Sequence, residues 1–268
     1  MRMPGTSPGM TVGDSGFGRL TLAPGHDREG IYNMNPWDHP LINKGMRAQL
    51  ETRRARLAAG EKPLGWKVGL GAPAALQKLG IAAPVVGYLL QSGRLSSGAT
   101  VSLREYLRPV AEPEICVTLA HDLGQGATAA DALAAVKHIQ PAIELADLEP
   151  VPAPDNLDAV LAGDIYHRQV VLGDKTRIGG ALDGIVSRLT RRGLEANRTD
   201  DPEALTGKLT TIVAHVANTL AAFGERLRAD DIIITGSITP PLMIEPDETG
   251  LIHALDPIGE VAVSFTRA

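Results

Sequence analysis

The chain has 268 residues, 44% of them hydrophobic, which is enough to build a sizeable core in one large domain or two small ones. Its 26 basic and 31 acidic residues give a formal net charge of -5 without long runs of one sign, which argues against a nucleic-acid partner. Cys116 is the only cysteine, so an intrachain disulfide and a cysteine-built zinc site are excluded, and a reducing cytoplasm fits best.

The beginning of the chain predicts a flexible leader over residues 1–33. This stretch is rich in glycine and proline and lacks the apolar centre of a signal peptide. Met34 is a possible natural start, and residues 34–268 are expected to form a single domain. No apolar run approaches the roughly 20 residues that span a bilayer, so no membrane partner is expected.

Helices are predicted where apolar residues recur at helical spacing or where capping residues bound a segment. They cover residues 43–59, 73–79, 128–138 and 209–223. Strands are predicted where β-formers cluster between turn residues. They cover residues 65–69, 99–103, 113–119, 139–148, 165–173, 232–235, 251–255 and 260–265. Residues 149–158 predict a loop, and residues 177–205 resist assignment. The clustered strands predict an α+β fold with a β core.

The segment Glu112-Pro113-Glu114 is the most informative local feature. Side chains at i and i+2 of an extended segment share a face, so two carboxylates converge there, as in sites for hard divalent cations. Glu144 lies in an apolar context and would complete such a site, because a buried charge needs a partner. The alternative is that Glu112 and Glu114 occupy a solvated turn while Glu144 pairs with an arginine.

Other side chains suggest a site less specifically. Lys67, between glycines, could hold a carboxylate or an oxyanion, or its stem could be buried while its ammonium reaches water. Ser237 and Thr239 follow an apolar strand and would line a pocket mouth, or simply form a tight turn. Asp164 and His167, three residues apart, could form an acid/base pair or a structural hydrogen bond.

Several of these segments occur in a characteristic order along the chain. They are Gly65-Trp66-Lys67-Val68-Gly69, Leu79-Gly80-Ile81 with Pro84 and Gly87, Glu112-Pro113-Glu114, Pro141-Ala142-Ile143-Glu144, Val171-Leu172-Gly173, and Gly236-Ser237 with Pro240. From about Leu50 to Phe265, this ordered set resembles the 2-keto-4-pentenoate hydratase and 4-oxalocrotonate decarboxylase family, within the fumarylacetoacetate hydrolase superfamily.

The resemblance implies a distorted β barrel or β roll with flanking helices, usually in a homo-oligomer, so that residues 34–268 would be one hydratase-like catalytic domain. It implies that Glu112, Glu114 and Glu144 bind Mg²⁺ or Mn²⁺ and that Lys67 faces the substrate. That substrate would be a small 2-oxo acid whose keto and carboxylate oxygens reach the ion.

Three residues depart from the family pattern as it is expected here. Val85 stands where an acidic residue is expected, so it would form an apolar wall for the substrate, and Asp164 and His167 stand where hydratases commonly show Asn and Ser. His167 would then carry the proton, with Asp164 orienting its ring. The resemblance favours a metal-dependent hydratase acting on a 2-hydroxydienoate or a related 2-oxo acid. Alternatives are a decarboxylase of the 4-oxalocrotonate type, a carbon-carbon hydrolase and a catalytically silent partner subunit.

Overall fold

Two β-sheets organise the part of the chain that the computed structural model describes, residues 35–267. The predicted leader at residues 1–33 and the possible start at Met34 lie outside the described residues. Within the described range, the larger sheet has nine strands and the smaller has five. None of the described helices combines the length and apolar character that a bilayer span requires.

The strands are short to medium in length and are numbered in chain order. They are β1 (Pro63–Gly69), β2 (Val85–Leu90), β3 (Arg94–Ser96), β4 (Ala99–Ser102), β5 (Pro109–Leu119), β6 (Val136–Asp147), β7 (His167–Leu172), β8 (Arg177–Ile178), β9 (Val186–Arg191), β10 (Leu194–Thr199), β11 (Ile232–Ser237), β12 (Leu242–Met243), β13 (Gly250–Asp256) and β14 (Gly259–Thr266). The larger sheet runs β2-β1-β11-β5-β6-β7-β3, with β12 added beside β5 and β8 beside β6, and the smaller sheet runs β10-β9-β13-β14-β4.

Helices flank these sheets. They are α1 (Pro40–Ala58), α2 (Pro73–Leu79), α3 (Ala129–Ala135), α4 (Leu157–Ala162) and α5 (Leu209–Ala222). Helix α5 has eight buried residues, and all of them except Thr219 pack in the main core. The predicted capping box of Thr128 and Asp131 opens α3. The first helix, α1, has one buried face. On this face Gly45 lets α4 approach closely, and the Gln49 side-chain amide donates hydrogen bonds to the Val86 and Leu161 carbonyl oxygens.

The larger sheet is strongly curled, and this curvature creates the site described below. Strands β1 and β6 are separated by β11 and β5, which would place them about 14 Å apart in a flat sheet. Yet the Lys67 ammonium of β1 contacts the Glu144 carboxylate of β6. The sheet therefore wraps into a half-barrel, and the predicted α+β fold around a curled sheet with flanking helices is confirmed.

Differences from the predicted elements occur where local patterns are weak. The strand predicted at residues 165–173 begins only at His167, and the loop predicted at residues 149–158 gives way to α4 from Leu157. The polar stretch that resisted assignment contains β8 and the β9–β10 hairpin. Strand β2 was not predicted, because all six of its residues are buried and it therefore has no alternation of polar and apolar residues.

Candidate metal centre

Three carboxylates meet on the inner face of the curled sheet. Glu112 and Glu114 are on β5, and Glu144 lies directly opposite Glu112 on the neighbouring antiparallel strand β6. Each residue offers one carboxylate oxygen, and these oxygens all lie within 4.8 Å of one another. The structure thus brings together the three residues that the sequence proposed as ligands.

Each of the two fully buried carboxylates has one oxygen held by the protein and one oxygen free. Glu114 Oε2 accepts a hydrogen bond from the Gly236 amide at 2.6 Å, and Glu144 Oε1 accepts from Lys67 Nζ and from His167 Nδ1, the latter at 2.8 Å. Among the described residues, Glu114 Oε1 and Glu144 Oε2 have no hydrogen-bond partner. Buried oxygens of this kind are costly unless a cation or a donor satisfies them, so the donor set fits a hard divalent cation.

Electrostatics divide the three carboxylates into two kinds. Burial, reinforced by the charge of Glu144, raises the pKa of Glu112 to about 7, and burial raises the pKa of Glu114 well above its usual value. Burial also acts on Glu144, but the Lys67 ammonium and the His167 hydrogen bond outweigh it and lower the pKa of that carboxyl. Without a cation, Glu144 is therefore the most readily ionised of the three carboxylates, and Glu112 is only partly ionised near neutral pH.

Magnesium affinity is therefore expected to rise as the pH increases through about 7, where Glu112 loses its proton. A proton and a cation compete for the same carboxylate, so a raised pKa weakens metal binding below that pKa and leaves it unaffected well above it. The slope should approach about tenfold in affinity per pH unit for each proton released. Calorimetric titration in buffers of different ionisation enthalpy measures both the magnesium affinity and the number of protons released. A magnesium affinity that stays constant between about pH 6 and 8 would contradict the assignment of Glu112 as a ligand.

Lys67 is enclosed by the protein. The side chain is 2% exposed, so its ammonium does not reach water. It donates to Glu144 and to the Ile165 carbonyl oxygen, the latter at 3.1 Å. Burial opposes the charge, but Glu144 and Glu112 outweigh it and raise the pKa of Lys67. Lys67 is not among the residues that line the cavity described below, and its ammonium is joined to the carboxylates through Glu144. That Lys67 faces the substrate, as the resemblance implied, stays a prediction.

The turn before β7 has an unusual backbone. Asp164, Ile165 and Tyr166 have φ angles of 58°, 50° and 66°, a left-handed conformation that costs about 1–2 kcal/mol for each residue other than glycine. These three residues are hereafter called the left-handed turn. No sequence signal points to it, because glycine is the usual residue at such angles.

The left-handed turn separates the two residues that were expected to pair. Asp164 Oδ1 accepts a hydrogen bond from the Tyr88 amide at 2.8 Å, whereas His167 donates to Glu144. Asp164 therefore does not orient the His167 ring, and Glu144 does so instead. Burial raises the pKa of Asp164 well above its usual value and lowers the pKa of His167, which favours the neutral imidazole.

A cavity of about 240 Å³ opens beside the carboxylates, with Glu112 in its wall. Ser237 and Thr239 are among the residues that line it. Ser237 Oγ is buried and has no partner among the described residues, while the Thr239 hydroxyl donates to the Pro240 carbonyl oxygen. Val85 does not line this cavity, because it is buried in the main core.

The rest of the cavity wall is mainly apolar. It is formed by residues that follow β1, by α2 and by three loops, and includes Leu70, Ala75, Leu79, Pro84, Leu148 and Leu205. Lys78, on the exposed side of α2, is the only basic residue in the wall among those the structure describes. A ligand that reaches Glu112 with one end therefore places its other end against hydrocarbon.

No family model matches the chain, but known proteins are similar to it in sequence and in structure over most of its length. The chain is 29% identical over 243 residues to a 2-hydroxyhexa-2,4-dienoate hydratase of Comamonas testosteroni, covering 86% of this chain and 89% of that protein. It is 33% identical over 196 residues to a 2-hydroxypent-2,4-dienoate hydratase of Pseudomonas putida, covering 69% and 88%. A solved 4-oxalocrotonate decarboxylase from Pseudomonas putida G7, complexed with magnesium and adipate, superposes with a TM-score of 0.76 at 24% identity over 89% of each chain.

Proposed function

Because the chain belongs to the 2-keto-4-pentenoate hydratase and 4-oxalocrotonate decarboxylase family of the fumarylacetoacetate hydrolase superfamily, we propose that it is a metal-dependent hydratase. Its substrate would be a 2-hydroxydienoate or a related 2-oxo acid. The observation that carries this proposal is the cavity that has Glu112 of the carboxylate cluster in its wall and hydrocarbon over most of its remaining surface. It predicts a substrate with one polar end and one apolar end.

Glu112, Glu114 and Glu144 would hold Mg²⁺ or Mn²⁺, since each presents an oxygen to the same small volume. A divalent cation supplies positive charge that stabilises the negative charge developing on the substrate oxygens. Glu144 is held in place from two sides, because His167 Nδ1 and Lys67 Nζ both donate to Oε1 and leave Oε2 available. We assign His167 and Lys67 to this support of Glu144.

Ser237 is proposed to bind the substrate directly. Its hydroxyl lines the cavity, is buried without a partner among the described residues, and belongs to the strand that supplies the Gly236 amide to Glu114. A carboxylate or keto oxygen placed there would satisfy the hydroxyl. Thr239 would contribute mainly through its methyl group, because its hydroxyl already donates to Pro240.

The apolar wall favours a hydratase over a decarboxylase of the 4-oxalocrotonate type. The substrate of such a decarboxylase carries a second carboxylate, which would lose its hydration against Leu79, Leu148 and Leu205. Lys78, on the exposed side of α2, is the single described cation of the wall that could pair with it. A hydrocarbon tail loses nothing there and gains about 25 cal/mol for each Å² removed from water. A monoacid with an alkyl tail therefore suits this cavity better than a diacid.

With magnesium present, the enzyme is expected to hydrate 2-hydroxydienoates and to release little carbon dioxide from a 2-oxo-enedioate. The specificity constant should increase from the pentadienoate to longer alkyl homologues, because each added methylene buries further apolar surface, worth up to about fourfold if fully buried. Loss of the dienoate absorbance measures hydration, and a carbonate assay measures decarboxylation. Metal-free protein serves as the control.

Three outcomes would overturn the proposal. Faster carbon dioxide release than hydration would identify a decarboxylase, and cleavage of a carbon-carbon bond in an acylpyruvate would identify a hydrolase. Absence of any turnover in magnesium-loaded protein would identify a catalytically silent partner subunit.

We infer further that the protein acts in the cytoplasm as a homo-oligomer. Cys116 is a buried free thiol, which fits a reducing compartment. Ile178 and Leu194 are 91% and 73% exposed, and contact with a second copy of the chain would cover such side chains. Sedimentation at several concentrations measures the oligomeric state.

A further inference from the structure

The left-handed turn is attached directly to Lys67. The Ile165 carbonyl oxygen, in the middle of the turn, accepts a hydrogen bond from Lys67 Nζ at 3.1 Å. The same ammonium donates to Glu144, whose carboxylate is one of the proposed ligands. The position of the Ile165 carbonyl therefore helps to set where the ammonium sits relative to Glu144.

The turn is fastened to the sheet by Asp164. Its Oδ1 atom accepts the Tyr88 amide hydrogen of β2 at 2.8 Å. Left-handed angles are unfavourable for isoleucine and tyrosine, so the turn persists only where surrounding contacts hold it. This hydrogen bond joins the first residue of the turn to β2, the fully buried strand at one end of the larger sheet.

Two glycines leave room for this arrangement. Gly87 lies opposite Lys67 in the β1–β2 pair, and a Cβ atom at Gly87 would lie 2.8 Å from Asp164 Oδ1 and 2.9 Å from Lys67 Cγ. A Cβ atom at Gly69 would lie 2.8 Å from Ile165 Cγ2. All three distances are shorter than a real Cβ contact, so the turn and the lysine occupy space that side chains on β1 and β2 would otherwise fill.

We propose that Asp164 is a positioning residue of the hydratase site. Its hydrogen bond to Tyr88 locks the left-handed turn, and the locked turn holds the Lys67 ammonium against Glu144 through the Ile165 carbonyl. The role depends on the hydrogen-bonding oxygen of Asp164 and not on its charge. The effect of this arrangement on turnover rests on the proposed function, whereas the hydrogen bonds themselves do not depend on it.

Two variants of Asp164 separate the hydrogen bond from the charge. Asp164→Ala removes the acceptor, so the turn relaxes and kcat falls by about 10- to 100-fold, as expected when a group near the reacting atoms shifts by about 1 Å. Asp164→Asn keeps an oxygen for the Tyr88 amide and restores most of the rate. The Mg²⁺ affinity at pH 8.5 stays close to that of the unmodified protein in both variants, because all three proposed ligands remain.

Gly87→Ala tests the same arrangement of Asp164 and Lys67 by a change on β2. The new methyl group meets Asp164 and Lys67, so kcat falls although Asp164 is intact. Gly250→Ala is the matched control, because a Cβ atom there would lie 2.5 Å from the Val263 carbonyl oxygen in the smaller sheet. Both variants should lower the melting temperature, but only Gly87→Ala should lower kcat in the protein that remains folded.

Crystal structures of the two Asp164 variants supply a readout that does not depend on activity. We expect the Lys67 Nζ to Ile165 oxygen contact to be lost in Asp164→Ala and retained in Asp164→Asn. Failure of the proposed function would appear instead as an inactive unmodified protein with this contact intact. The proposal is overturned if Asp164→Ala keeps the contact and its rate, or if Asp164→Asn is impaired as severely as Asp164→Ala.

Discussion

Replacement of Glu114 with glutamine is expected to lower magnesium affinity by at least about 100-fold and to abolish turnover, since even the loss of a supporting contact to a metal ligand typically costs 10- to 100-fold. The amide has nearly the shape of the carboxylate, and its oxygen still accepts the Gly236 hydrogen bond, so the fold should survive. The variant loses the charged oxygen that has no other partner among the described residues. Calorimetry measures the affinity, and the hydration assay measures turnover.

Glu248→Gln is a suitable control for that variant. Glu248 is a glutamate of comparable burial, 3% exposed, but it pairs with Arg191 of the smaller sheet rather than with the carboxylate cluster. The control should lose stability without losing magnesium affinity. Normal magnesium binding in both Glu114→Gln and Glu144→Gln would show that the metal-site assignment is wrong.

The carboxylate cluster was predictable because it depends on strong local rules. Alternate residues of a strand share a face, which places Glu112 and Glu114 side by side, and the apolar surroundings of Glu144 require a partner for its charge. The sequence could not reveal that β5 and β6 pair in the register that sets Glu112 opposite Glu144. That register depends on contacts between residues about thirty positions apart.

The partners of Lys67 and His167 were not predictable for the same reason. Spacing along the chain suggested that Asp164 would orient His167, but the left-handed turn directs Asp164 to Tyr88. His167, the first residue of β7, instead donates to Glu144 on the neighbouring strand. The curvature of the sheet then adds Lys67 to the same carboxylate. Local patterns identify the side chains of the site, while sheet pairing decides which of them meet.

Replacement of Lys67 with methionine is expected to lower kcat/KM by about 100-fold, a loss similar to that of a donor to a developing oxyanion. A divalent cation and one ammonium balance the charges of the three carboxylates. Without the ammonium, the loaded site carries one additional negative charge close to an anionic substrate, and it repels the charge that develops during the reaction. Methionine is unbranched and of similar length, so it fills most of the space that Lys67 occupies.

The pH dependence of the Lys67→Met variant distinguishes this electrostatic role from damage to the metal site. The ammonium keeps the Glu144 pKa low against the effect of burial, so its removal should raise that pKa toward the behaviour of Glu114. Magnesium binding would then weaken near neutral pH, where a proton competes, and recover at higher pH, where Glu144 is ionised in both proteins. Turnover should stay low even at that higher pH with the metal bound, because the positive charge is still missing. Full recovery of the rate with metal saturation would limit Lys67 to keeping Glu144 ionised.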